Sequence, residues 1–216
     1  MSEQTEKKLI QKGAEAEIYL DEWFGLRVVR KIRLPKVYRN PSLDQEIRQS
    51  RTAHEAWMMH QAKKAGVSTP LVYFVDLKRN EIIMQYIEGM RLRELLEDAG
   101  YELRNQLCRK LGEMVGRLHN AGIVHGDLTT SNTIVSGLKI FLIDFGLSEY
   151  SRELEKKGVD LLLAERVFHS THHTYANSCH KAFIDGYRAQ VGQDMARQVV
   201  ERVRDIKRRG RYAFER

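Results

Sequence analysis

Residues 125–146, HGDLTTSNTIVSGLKIFLIDFG, constrain this chain more than any other stretch. An acid and an amide five residues apart, Asp127 and Asn132, sit in a run of small polar residues directly after the apolar helix end LHNAGIV. Two short β patterns follow, turn at Ser136–Gly137, and deliver a second acid, Asp144, ahead of Phe145 and Gly146. A small hairpin brings both acids to one of its ends, with Asn132 beside them. Carboxylate and amide oxygens suit a hard divalent cation such as Mg²⁺, which keeps positions open for phosphate oxygens. The lack of His or Cys at ligand spacing within the stretch argues against zinc.

The surroundings divide in two. The first 90 residues hold the β-rich runs AEIYLDEW, LRVVRKIRL, PLVYFVD and EIIMQYI around one long helix. That helix follows Pro41, carries Ser42 and Gln45 at capping-box spacing, and closes on Gly66. The rest is mostly helical. In YELRNQLCRKLGEMVGRLHNAG, the residues Leu103, Leu107, Leu111, Met114, Val115 and Leu118 keep a three-to-four spacing, which predicts one buried face ending at Gly122. VDLLLAERVF and DMARQVVERVRDIKRRG are amphipathic too. The expected fold class is α+β and bilobal: a small β-rich N-lobe over residues 1–87, a reduced helical C-lobe over 88–216, and a cleft between them.

Composition excludes some classes. A chain of 216 residues with 42% hydrophobic content can bury a full core. No apolar run approaches the about 20 residues that span a bilayer, and MSEQTEKKLI is too polar for a secretory signal, so the expected location is cytoplasmic. Cys108 and Cys179 fit no CxxC pattern and read as reduced thiols. The net charge of +7 is concentrated. Residues 27–39 contain six Lys or Arg and no acid, and residues 197–216 contain eight basic residues against three acids. A solvated face or contact with phosphate or RNA accounts for either run.

HxDxxxxN followed by DFG, here His125, Asp127, Asn132 and Asp144, resembles the catalytic and metal loops of the protein-kinase-like fold. The resemblance implies ATP and Mg²⁺, with Asn132 and Asp144 on the metal and Asp127 orienting and deprotonating the attacking group. It also implies that Lys31 contacts the α and β phosphates and that Glu55 orients it, with Arg30 as the competitor for that contact. His125 reads as a loop-packing residue rather than a base. Met84, Gln85, Tyr86 and Ile87 would join the lobes and meet adenine. QKGAEAEIY has one glycine where GxGxxG is usual, so Gln11, Gly13, Ala14, Glu15 and Ala16 form a modified phosphate cover. Only residues 147–158 separate Gly146 from the helix expected near Val159, there is no APE motif, and Gly126 replaces the usual arginine. The short connection leaves little room for an activation segment or a peptide-docking platform, and the missing arginine removes the usual partner of an activation-loop phosphate.

RLPKVYRNPSLD, RTAHEA, HGDLTTSN, IDFGLS, KKGVDLLLAERVFHSTH and RRGRYAFER together resemble the small atypical kinase subunits of the KEOPS (EKC) complex, the PRPK family, related to the RIO kinases. The resemblance runs from about Leu9 to the C-terminus. It implies an ATP-dependent serine/threonine kinase or ATPase that works with a threonylcarbamoyl-transferase subunit and a small regulatory subunit in making threonylcarbamoyladenosine at position 37 of tRNA. On that reading Arg204, Lys207, Arg208, Arg209 and Arg211 help hold tRNA. A RIO-like protein kinase independent of tRNA is the alternative, and a small-molecule phosphotransferase is disfavoured by the 70 residues after Gly146. The cluster HSTHHTYANSCH reads as structural or surface rather than as a zinc site.

Overall fold

The first turn of the long helix shows how local chemistry sets these elements. In the computed structural model, which describes residues 7–212 and the side chains of residues 7–209, helix α1 spans Pro41–Lys64. Proline holds the preceding residue extended, so Asn40 becomes the cap and its side chain accepts from the Ser42 and Leu43 amides. The cap therefore lies two residues upstream of the expected Ser42. Gln45 serves instead to tie the helix to the β-turn beyond it, donating to Lys78 O and accepting from Asn80. Ala65 caps the far end, and Gly66 follows at φ 78°.

The helix lies against a five-stranded antiparallel sheet, order β1-β2-β3-β5-β4, from β1 Lys8–Lys12, β2 Ala16–Trp23, β3 Leu26–Arg33, β4 Val72–Asp76 and β5 Glu81–Gln85. Four of the strands match the β-rich runs in the sequence. The additional one, β1, is an exposed edge strand without an apolar alternation, and a register shift between Leu9 and Gln11 breaks its pairing.

Beyond β5 come β6 Met90–Arg91, α2 Leu92–Asp98, α3 Tyr101–Asn120 and β7 Ile123–Val124. The hairpin β8 Thr133–Ser136 and β9 Lys139–Leu142 turns through Gly137 and Leu138. After β10 Glu149–Tyr150, which pairs with β7, helices α4 Leu154–Thr171, α5 Ala176–Val191 and α6 Gln193–Tyr212 complete the fold. Helix α4 starts five residues before the expected Val159, so residues 147–153 are all that connect the DFG turn to it.

α3 buries Leu107, Leu111, Met114, Val115 and Leu118, each contributing about 1.5–3 kcal/mol by leaving water. Leu103, expected on the same face, is 37% exposed. Close contact with α5 begins only further along α3, where a Cβ on Gly186 would meet Arg109 O at 2.0 Å and one on Gly112 would meet Phe183 O at 1.9 Å. Periodicity shows which way a residue points but not where its cover stops. The two glycines let the helix backbones touch. One apolar cluster runs from Met58, Met59 and Ile82 through α3 to Phe168, Phe183 and Val199, so the sheet and the helical part share a core. Among the described residues, no helix is long and apolar enough to cross a membrane.

Candidate active site

Strand alternation decides which cation of the basic run enters the cleft. On β3, Lys31 faces α1 and is 7% exposed, while its neighbour Arg30 faces the other side and is bound to Asp21 and Glu81. Arg30 is thereby removed as a competitor. Lys31 Nζ donates to Glu55 Oε1 at 2.7 Å and to Asp144 Oδ1 at 2.8 Å. Burial alone would lower the Lys31 pKa; the Glu55 and Asp144 carboxylates outweigh it and raise the pKa. Burial likewise pushes Asp144 up, and Lys31 brings it below the ordinary value. Asp144 sits at φ 62° with its side chain 43% exposed, and Gly146 N donates to its Oδ1.

A second cation shares the buried Glu55. Arg33, two residues along the same face of β3, donates from Nη2 to Glu55 Oε2 at 2.6 Å. No role was assigned to it from sequence, although its i+2 relation to Lys31 on a strand is the signal that would have found it.

The catalytic-type loop hangs from β7 and is fixed by contacts with its own backbone. Asn132 Nδ2 donates to Asp127 O at 3.0 Å and to Asp127 Oδ2 at 2.8 Å, and Asn132 N donates to Thr129 Oγ1. His125 is fully buried; its ring packs on Phe145 and its Nε2 meets Ile143 O, which fits a packing role. Gly126 has φ 80°, and a Cβ there would meet Leu147 O at 2.3 Å, so only glycine fits the site of the missing arginine.

Asp160, on α4 and 1% exposed, anchors this loop from below. Its Oδ2 accepts from His125 N at 2.7 Å and its Oδ1 from Gly126 N at 2.8 Å. His119 Nε2 lies 3.2 Å from Oδ2, and His119 Nδ1 meets Tyr187 OH at 3.0 Å, linking α3, α4 and α5 through one carboxylate. Burial raises the Asp160 pKa, but the His119 contact and the other partners lower it overall. The acid inside the apolar run VDLLLA is the sequence sign of this role, outside any motif of the catalytic loop. His172, from the histidine cluster, meets Thr130 Oγ1 at 3.1 Å and braces the same loop.

Two adjoining cavities meet at Lys31 and Asp144. One, of about 320 Å³, has apolar walls from Ile18, Val29, Ile134 and Ile143 and is rimmed by Met84, Gln85, Tyr86 and Ile87, with Glu55 and Asn132 also on its lining. The other, of about 300 Å³, lies under the β1–β2 loop, with Gly13, Glu15, Ala16 and Asp127 on its walls, and Gln11 lines both. Ala14 instead gives its carbonyl to Lys36. An apolar slot continuous with a glycine-roofed chamber that holds Lys31, Arg33 and Arg51 suits a nucleoside joined to phosphates. The tail residues stand elsewhere, on α6, which packs on α4 and α5. Lys207 pairs with Glu165, Arg208 with Asp205 and Arg209 with Glu155, while Arg204 is exposed. The Arg211 side chain lies outside the described residues.

A buried Lys–Glu pair, a DFG acid and an Asp–Asn loop around one cleft define a kinase-type phosphotransfer site, and the RIO domain family matches residues 30–156. The fold agrees: the chain aligns with the Rio2 kinase–ADP/Mg²⁺–phosphoaspartate complex from Chaetomium thermophilum at TM-score 0.65 and 15% identity, covering 94% of this chain and 70% of that one. The KEOPS complex subunit Bud32 of Pyrococcus abyssi is 45% identical over 211 residues, 95% of this chain and 96% of that protein. A probable bifunctional tRNA threonylcarbamoyladenosine biosynthesis protein of Methanothermobacter thermautotrophicus is 42% identical, and the chain spans 36% of its length. The chain belongs to the family of the RIO-type kinase subunit Bud32.

Proposed function

We propose that the chain binds Mg²⁺-ATP in this cleft and works as the serine/threonine kinase or ATPase subunit of a KEOPS-type assembly that makes threonylcarbamoyladenosine on tRNA. The observation that carries the reading is the Lys31–Glu55–Asp144 cluster facing the Asp127–Asn132 pair across the two joined cavities. The donor set fits Mg²⁺: Asp144 and Asn132 offer hard oxygens, and no group of three His, Cys, Asp or Glu among the described residues is arranged to hold a metal by protein alone. The ion would be held partly by phosphate and would offset charge developing on the transferred group.

Lys31, fixed by Glu55, would steady the α and β phosphates, and Asp127 would orient the incoming hydroxyl or water and take its proton. The rim from Met84 to Ile87 would present backbone groups to adenine, with residues 1–87 and 88–216 as the two jaws. The partners on this reading are a threonylcarbamoyl-transferase subunit, a small regulatory subunit and tRNA, in the cytoplasm. The seven residues 147–153 between the DFG turn and α4 favour an ATPase component over a kinase that docks extended peptides.

The test is Mg²⁺-dependent turnover of γ-labelled ATP by the chain alone and by the chain with its partner subunits and tRNA. Free phosphate that rises with partner and tRNA, with little label on protein, is the expected result. Label accumulating on serine or threonine regardless of tRNA would show a protein kinase acting independently.

A further inference from the structure

The phosphate end of the cleft already contains an anion belonging to the protein. Glu15, in the β1–β2 loop, accepts at Oε2 from Arg51 Nη1 at 2.6 Å, and Arg33 Nη1 lies 3.7 Å from the same oxygen. The bond from Arg51 leads in holding the Glu15 carboxyl below the usual carboxylate range. Both arginines line the chamber of about 300 Å³ with Gly13, Asp127, Asp144 and Gly146.

Three features make this carboxylate a poor final partner for two guanidinium groups. The Arg33 contact, at 3.7 Å, is too long for a hydrogen bond. Arg33 is 7% exposed and its buried Nε has no partner. A guanidinium carries five donors arranged for two-pronged binding, so the pair offers more than one carboxylate accepts. The Glu15 main chain, by contrast, is pinned, since Leu34 N donates to its carbonyl at 3.0 Å. Its side chain can leave the arginines while the loop keeps its place.

A terminal phosphate matches what the pair lacks. It brings up to two negative charges and three oxygens, against one charge and two oxygens for Glu15. We propose that Glu15 occupies the place of the terminal phosphate of a nucleoside triphosphate, and that Arg33 and Arg51 pass from Glu15 to that phosphate when the triphosphate binds. The two arginines are then the residues that distinguish triphosphate from diphosphate, because a diphosphate brings no terminal group to the place of Glu15. The inference deepens the ATP reading of the cleft and rests on it.

Calorimetric binding of Mg²⁺-ADP and of the non-hydrolysable β,γ-imido analogue of ATP to the full chain separates the two ideas. Arg51 and Glu15 are both on the surface side of the chamber, with side chains 39% and 51% exposed, so Arg51→Gln and Glu15→Gln are compatible with the fold. Arg33 is left intact, since its loss would leave the buried Glu55 Oε2 without its partner. Arg51→Gln is expected to weaken the triphosphate analogue about tenfold, as loss of a charge-assisted contact should, with ADP within about twofold. Glu15→Gln is expected to tighten the analogue by about threefold or more and leave ADP unchanged. A Glu15→Gln chain that binds the analogue no better than wild type overturns the proposal. So does an Arg51→Gln chain that loses both nucleotides equally, and in either case the ATP site stands. Wild-type protein that binds neither nucleotide refutes the ATP reading itself, and this inference with it.

Discussion

Asp160→Asn isolates the anchor beneath the catalytic-type loop. The carboxylate accepts three hydrogen bonds at 1% exposure, from His125 N, Gly126 N and His119 Nε2. Asparagine keeps the volume but supplies one acceptor oxygen in place of two. In its better orientation the amide nitrogen faces Gly126 N, two donors meet, and one buried N–H is left unsatisfied at a cost of about 1–3 kcal/mol. The two remaining bonds lose their charge, which weakens each by about 1 kcal/mol. The sum is about 3–5 kcal/mol, or a fall in Tm of about 6–20 °C for a chain of this size. Circular dichroism melts of wild type and variant at pH 7 read it directly. The pH dependence adds a second signature. The folded pKa of Asp160 lies below its ordinary value, so its contribution is present above the unfolded pKa of about 4 and is lost as pH falls through the folded value. The gap between the two proteins should thus be constant from pH 5 to 8 and narrow only in acid. A variant melting within about 2 °C of wild type at pH 7 would falsify the anchor.

Other perturbations act on single links of the same chain. Asp144→Ala and Lys31→Ala should each abolish ATP turnover in protein that remains folded by circular dichroism; wild-type turnover by folded Asp144→Ala would remove the metal assignment. Gly126→Ala should destabilise by more than about 1 kcal/mol, since its φ of 80° and the 2.3 Å approach to Leu147 O both oppose a Cβ, and a melt unchanged from wild type would contradict that. Truncation after Arg204 should weaken tRNA binding and flatten its dependence on salt, because fewer phosphate contacts release fewer counterions. An unchanged slope in a salt titration would show that the tail makes no such contacts and that Lys207, Arg208 and Arg209 serve their pairs with Glu165, Asp205 and Glu155 instead.

What was legible in the sequence was local. The hairpin that carries Asp144, the strand that carries Lys31 and the helix that carries Glu55 each announce themselves by period and turn chemistry, so their convergence follows once the lobes are in place. Features that depend on a distant partner stayed hidden. Strand β1 has no apolar face of its own and exists because β2 offers an edge. Leu103 follows the α3 period yet is exposed because α5 does not cover it. Asp160 and Arg33 lie 35 and 22 residues from the groups they hold, and no short window contains both halves of either interaction. Helix α5 was concealed by its polar start, ANSCH, by the polar HHTY ahead of it, and by an internal Gly186 that is there for contact with α3 rather than for helix propensity.

The cations of the cleft are paired with the protein's own acids. Lys31 holds Glu55 and Asp144, Arg33 holds Glu55, and Arg51 holds Glu15. Leaving the buried Lys31 or Arg33 without a counter-ion would cost several kcal/mol, and Glu55 serves both. Binding of a phosphorylated ligand is accordingly an exchange of anions. Glu55, 1% exposed and doubly bound, cannot leave without stranding two cations. Asp144 and Glu15, both partly in solvent, can turn from their cations without such a cost. The fixed acid therefore sets the position of Lys31 and Arg33, and the two releasable acids mark where a metal and a phosphate would enter.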